Sequence, residues 1–138
     1  GIALNKRDKD DLFNFPKSLV EAKLTGCKNI SKVKKISDNK VYAIDWGYEF
    51  ILNHEVPENI DYMGIRSHNI LVADVNSSVN VFTFQVSDIL ENPFDITISL
   101  NSPLATGNIN IKLKKENFDL KIGSMIKLEF PKEHIFFF

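Results

Sequence analysis

From residue 30 onward the chain alternates apolar and polar side chains with a period of two, in short runs broken by turn signals. A period of two puts successive side chains on opposite faces of a strand, so each run has one dry and one wet face. The clearest case is Asn108-Ile-Asn-Ile-Lys-Leu-Lys114, and Asp95-Ile-Thr-Ile-Ser-Leu100 repeats it. Ten segments read as strands: 30–36, 41–45, 48–52, 62–66, 69–75, 79–89, 95–100, 108–114, 125–130 and 134–137. Asp38-Asn39, Trp46-Gly47, Val56-Pro57-Glu58-Asn59, Asn76-Ser77-Ser78, Asn92-Pro93, Ser102-Pro103 and Ile122-Gly123-Ser124 separate them. Many short strands at close spacing predict a mainly β chain folded as a small barrel, which also disposes of open sheet edges.

Ahead of these strands the period is helical. Pro16 suits a first turn, Leu19, Ala22 and Lys23 fall on one stripe, and Gly26 supplies the stop. Residues 1–11 are polar and charged and read as a linker from an upstream domain. The expected organisation is therefore linker and helix over 1–26 and a β-barrel over 27–138.

With 138 residues, 43% hydrophobic and 25% charged, the composition is that of one globular domain and excludes a disordered chain. Residues 1–40 carry ten basic and five acidic side chains, and residues 41–138 carry seven and thirteen. The basic excess peaks at Lys28, Lys32, Lys34, Lys35 and Lys40, a place for an anion or a guarded strand edge. The net charge of −1 argues against a nucleic-acid partner, which calls for a dominant basic surface. One cysteine, Cys27, excludes an internal disulfide and fits a reducing compartment. With three scattered His it cannot build a Cys-based zinc site, so no metal is expected.

No glycine is followed by lysine, so there is no P-loop, and no Gly-x-Ser-x-Gly elbow occurs. Cys27 beside Lys28 reads as a small buried hydrophobe before it reads as a nucleophile. Asp88, Glu91 and Asp95 flank a turn, the ordinary place for charge. No catalytic residue is assigned, and this piece is expected not to be an enzyme. Phe136, Phe137 and Phe138 load both faces of the last strand with large rings, an expected interface with a second copy or an attached domain.

Several runs carry a resemblance. Asp11-Leu-Phe-Asn-Phe-Pro-Lys-Ser-Leu-Val20 resembles the segment leaving the nucleotide-binding domain of ABC importer ATPases. Leu24-Thr-Gly-Cys-Lys-Asn-Ile-Ser31, Asp45-Trp-Gly47, Met63-Gly-Ile-Arg66 and Ile89-Leu-Glu-Asn-Pro-Phe94 resemble the molybdate/tungstate branch. Lys121-Ile-Gly-Ser-Met-Ile-Lys-Leu-Glu-Phe-Pro-Lys-Glu-His-Ile135 resembles the closing strands of a TOBE domain.

The resemblance implies an OB-like (TOBE/MOP-type) β-barrel with a short N-terminal helix. Its role would be that of a C-terminal accessory and regulatory domain of an ABC importer ATP-binding subunit. ATP and Mg would belong to the missing domain, with molybdate or tungstate as a ligand here. The implied partners are that upstream domain, a second copy and a membrane permease, at the cytoplasmic face of the membrane. The implied oxyanion-binding residues are Lys28, Asn29 and Ser31, with Arg66, Ser67 and His68 from a second partial echo, Ser67-His68-Asn69-Ile70. Gly26 and Lys28 depart from the Ser-Ala-Arg-Asn run of molybdate-binding domains, and lysine is a point charge where arginine is a fork. The alternatives are a barrel that only braces a dimer, and a sensing domain for a sugar, a polyamine or another anion.

Overall fold

A computed structural model describes residues 29–115 and 119–138. The predicted linker and helix, and Lys28, lie outside the described residues. The rest is mainly β and OB-like, in two curled five-stranded sheets. The strands are β1 (Ile30–Ser37), β2 (Lys40–Ala43), β3 (Tyr48–Ile51), β4 (Tyr62–Gly64), β5 (Leu71–Val72), β6 (Val81–Glu91), β7 (Asp95–Asn101), β8 (Asn108–Lys114), β9 (Met125–Glu129) and β10 (Phe136–Phe137). One sheet runs β10-β4-β1-β2-β3 and the other β5-β9-β6-β7-β8.

These two orders are the same order. Adding five to each of β1 to β4 turns the first sheet into the second, with β10 and β5 as counterparts. The registers agree. Ile30 lies opposite Gly64, which lies opposite Phe136; Val81 lies opposite Glu129, which lies opposite Leu71. Each first strand has a bulge at the same step, Lys35/Ser37 in β1 and Val86/Asp88 in β6. A 3-10 turn precedes each short outer strand, Ser67–Asn69 before β5 and Lys132–His134 before β10. The chain is thus an internal repeat whose halves exchange an outer strand. The sequence reading expected one barrel and missed the repeat.

One core fills the space between the sheets. Phe50, Trp46 and Met63 from the first half meet Phe84, Ile98, Ile111, Leu128 and Phe130 from the second. Trp46, Phe50, Phe82 and Phe130 pack with ring centroids 4.7 to 5.9 Å apart. Rings buried this way contribute on the order of 2–3 kcal/mol each. Tyr48, against the same cluster, donates its hydroxyl to the Thr83 carbonyl at 2.5 Å. Burial pushes the Tyr48 phenol above its ordinary range. A raised folded-state value means its contribution to stability holds below about pH 10 and is lost as the pH rises further. Tyr48→Phe is therefore expected to flatten the alkaline limb of a stability–pH curve, measured by urea unfolding between pH 8 and 11.

Of the three terminal rings Phe136 is buried within the chain, and Phe137 and Phe138 are partly buried. Phe136 is 4% exposed and packs with Ile30 and Phe138. Phe137 packs on the main core, and Phe138 stacks on Tyr62 with centroids 5.6 Å apart. The exchange of β10 into the first sheet explains the burial of Phe136. Gly64 makes room for it: a Cβ there would lie 2.7 Å from the Phe136 ring.

Candidate oxyanion site

The turn after β4 and the residue before β1 meet at the open edge of the second sheet. Strand alternation turns the backbone of every second β8 residue away from β7. Asn29 takes up one such position: its Nδ2 donates to the Asn110 carbonyl at 2.8 Å, and the Asn110 N–H donates to its Oδ1 at 2.7 Å. The side-chain amide thus stands in for a strand rung. The Asn29 amide also donates to Ser67 Oγ at 3.3 Å, and its carbonyl accepts from the Ile65 N–H at 3.1 Å. Asn29 is fully buried and Arg66 is 5% exposed. The Arg66 guanidinium carbon lies 5.7 Å from the centre of the Phe136 ring. Both Asn29 amide hydrogens are thereby spent, on Asn110 and Ser67, so the groups of the kind a dianion needs are a buried cation and a hydroxyl on adjacent residues, Arg66 and Ser67.

The expected residues are not all placed together. Asn29, Arg66 and Ser67 are. His68 is exposed on the next step of the turn and lines a cleft of about 420 Å³ with Lys112 and Lys114. Ser31 is buried, but its hydroxyl donates to the Lys32 carbonyl at 2.8 Å and accepts from the Asp45 N–H at 3.1 Å. That hydroxyl ties β1 to the loop after β2 and is committed there. Asn110 was not expected; its backbone, not its side chain, is what matters.

The second copy is also elsewhere than expected. Asn80 precedes β6 as Asn29 precedes β1, and clamps Ile51 as Asn29 clamps Asn110. Ile51 N–H donates to Asn80 Oδ1 at 2.8 Å, and Asn80 Nδ2 donates to the Ile51 carbonyl at 2.8 Å. Phe130 N–H donates to the Asn80 carbonyl as Ile65 does to Asn29. So Asn80 is the counterpart of Asn29, and in the sequence Ser77-Ser78-Val79 precedes it as Gly26-Cys27-Lys28 precedes Asn29. Residues 67–70, read as an echo of that run, instead match 132–135. In the second half Pro131, Lys132 and Glu133 stand where Arg66, Ser67 and His68 stand in the first. The clamp is repeated; the donor set is not.

Among the described residues no group of three or more His, Cys, Asp or Glu is placed to hold a metal ion. No helix there is long and apolar enough to cross a membrane.

No protein-family model matches this chain, and no curated protein matches it. A solved structure does. It is that of the cytoplasmic molybdate-binding protein ModG, in a crystal form with molybdate bound. The match has a TM-score of 0.59 over 80% of this chain and 94% of that one, at 12% identity. The chain is similar to ModG in fold. That agrees with the MOP-type barrel implied by the sequence, and at this identity the likeness speaks for the fold alone.

Proposed function

We propose that this chain is an oxyanion-binding module of the molybdate/tungstate type. The observation that carries the reading is the buried Arg66 beside Ser67 and Asn29, in a fold similar to that of a molybdate-binding protein. A buried guanidinium supplies a fixed charge and a planar fork of donors, and Ser67 adds a hydroxyl at its edge. Lys28, next in sequence to Asn29, supplies a further charge. Because Pro131 and Lys132 replace the arginine and serine, the first half holds the site and one oxyanion binds per chain.

The wider setting rests on the sequence resemblance. In it the module is the C-terminal regulatory domain of an ABC importer ATPase, senses the cytoplasmic oxyanion pool and pairs with a second copy at the inner face of the membrane. The competing reading, a barrel that only braces a dimer, has less to rest on because Phe136 is buried within the chain.

Calorimetric titration with molybdate, tungstate and sulfate tests the reading. Saturable heat is expected for molybdate and tungstate, with sulfate weaker. Losing one hydrogen bond to a charged group costs about 1.5–3 kcal/mol, so Ser67→Ala and Arg66→Lys should each weaken binding roughly 10- to 100-fold. Flat titrations at millimolar anion, or unchanged affinity in both variants, would refute it.

A further inference from the structure

We propose that the cleft between the outer strands of the second sheet takes an extended acidic peptide as an added strand along β8. β5 and β8 are the two edges of that sheet and do not pair with each other. Between them lies the cleft of about 420 Å³, floored by apolar side chains of 70–72 and Leu113 and rimmed by His68, Lys112 and Lys114. Leu71 and Val72 are each close to half exposed, at 48% and 45%.

The backbone at this edge is offered for pairing. Ser102 N–H donates to the Gly107 carbonyl, so in the β7–β8 ladder the residues facing β7 are 109, 111 and 113. Those facing away are 108, 110, 112 and 114. The first two are taken: the Asn108 carbonyl by the Trp46 indole N–H at 3.3 Å, and Asn110 by the Asn29 amide. Lys112 and Lys114 have no such partner among the described residues. Across the cleft, Ala73 N–H donates to the Lys127 carbonyl, which turns the Val72 backbone groups away from β9 and toward the opening. Unpaired N–H and C=O groups in a row are a template for one more strand.

Charge chooses the occupant. A strand laid beside β8 sets alternate side chains next to Lys112 and Lys114 and the others over Leu113 and Ile70. Opposite charges on neighbouring strands attract and like charges repel, so acidic residues alternating with apolar ones fit. A second copy pairing β8 to β8 would bring lysines together and is disfavoured. By the same register Asn53 and Glu55 stand in the first half where Lys112 and Lys114 stand in the second, and the pocket beside them is closed by Asp38 and Asn39 of the β1–β2 turn rather than by β10. There the Val56 N–H bonds back to the Asp38 carbonyl of the β1–β2 turn, and β3 ends at Ile51, the match of Asn110, where β8 runs on to Lys114. The strand-addition site therefore belongs to one half only.

The test uses the full chain and an amidated peptide alternating glutamate with isoleucine and valine, followed by amide hydrogen exchange. Binding is expected to be saturable, to weaken with salt and to slow exchange at the Lys112 and Lys114 amides at least tenfold. Lys112→Glu/Lys114→Glu changes two exposed side chains and leaves the core alone. It should weaken the glutamate peptide by more than tenfold and admit a lysine-substituted one. The proposal is overturned by no binding at millimolar peptide, or by equal binding of the glutamate and lysine peptides. It is also overturned if the Lys112 and Lys114 amides are protected without peptide in a concentration-dependent way, which would put a second copy in the cleft. Displacement of the peptide by molybdate with the same amides shifting would make the cleft an anion pocket and refute it as well. Failure here leaves the Arg66–Ser67 site untouched, since that site is tested by its own variants.

Discussion

Asn80→Ala is expected to destabilise the chain by about 3–5 kcal/mol, measured by urea unfolding. Asn80 is the only non-glycine residue with positive φ among those described, at 52°. Asparagine tolerates that region, and alanine pays about 1–2 kcal/mol there. The side chain also accepts from the Ile51 N–H and donates to the Ile51 and Phe130 carbonyls, at 2.8, 2.8 and 3.3 Å. Removing it leaves buried edge groups without partners, at about 1–3 kcal/mol for each group left unsatisfied. Asn80→Gly should recover the backbone part alone, about 1 kcal/mol. Asn29→Ala removes the same clamp from ordinary backbone and should cost less than Asn80→Ala. If Asn80→Ala stays within about 1 kcal/mol of the wild type, the clamp is not what joins the halves.

Gly107→Ala is expected to cost about 2–4 kcal/mol. A Cβ at Gly107 would lie 2.3 Å from the Asp45 carbonyl oxygen, a backbone atom that cannot rotate away. The same carbonyl accepts the Gly107 N–H at 2.7 Å. Asp45 in turn accepts the Lys32 N–H on Oδ2 at 2.9 Å, so a displaced Asp45 loosens β1 as well. Gly123→Ala is the contrast: nothing lies within 4 Å of a Cβ there, and only its φ of 94° resists. Comparing unfolding midpoints tests this. A Gly107→Ala loss no larger than that of Gly123→Ala would mean that the Asp45 loop gives way freely.

The strands were legible because burial on one face writes itself into the sequence as alternation. β8 was read to the residue, and β6 and β7 within two. The short outer strands were over-read. Residues 69–75 hold only Leu71–Val72 as strand, because the 3-10 turn uses up the start and Asp74 opens a turn with Ser77. Residues 134–137 lose their first half to the second 3-10 turn for the same reason.

The repeat was not legible. Its halves match in register and hydrogen bonding but in few residue types, since Ser31 faces Phe82 and Gly64 faces Glu129 as counterparts. The loops between matching strands also differ in length. At the proposed site, Arg66 and Ser67 come from a partial motif echo, whereas no motif points to the clamp on Asn110. Backbone groups carry no side-chain signal, so only the topology shows which edge an asparagine will cap. Ser31 had the right chemistry and the wrong neighbour, because strand register turned it to Asp45.

Crystals grown with molybdate and measured at the molybdenum absorption edge give the most direct test of the oxyanion reading. One anomalous peak per chain is expected, within hydrogen-bond reach of Ser67 Oγ and the Arg66 guanidinium, with none at Lys132. A map without a peak at saturating molybdate, or with peaks only elsewhere on the chain, would contradict it.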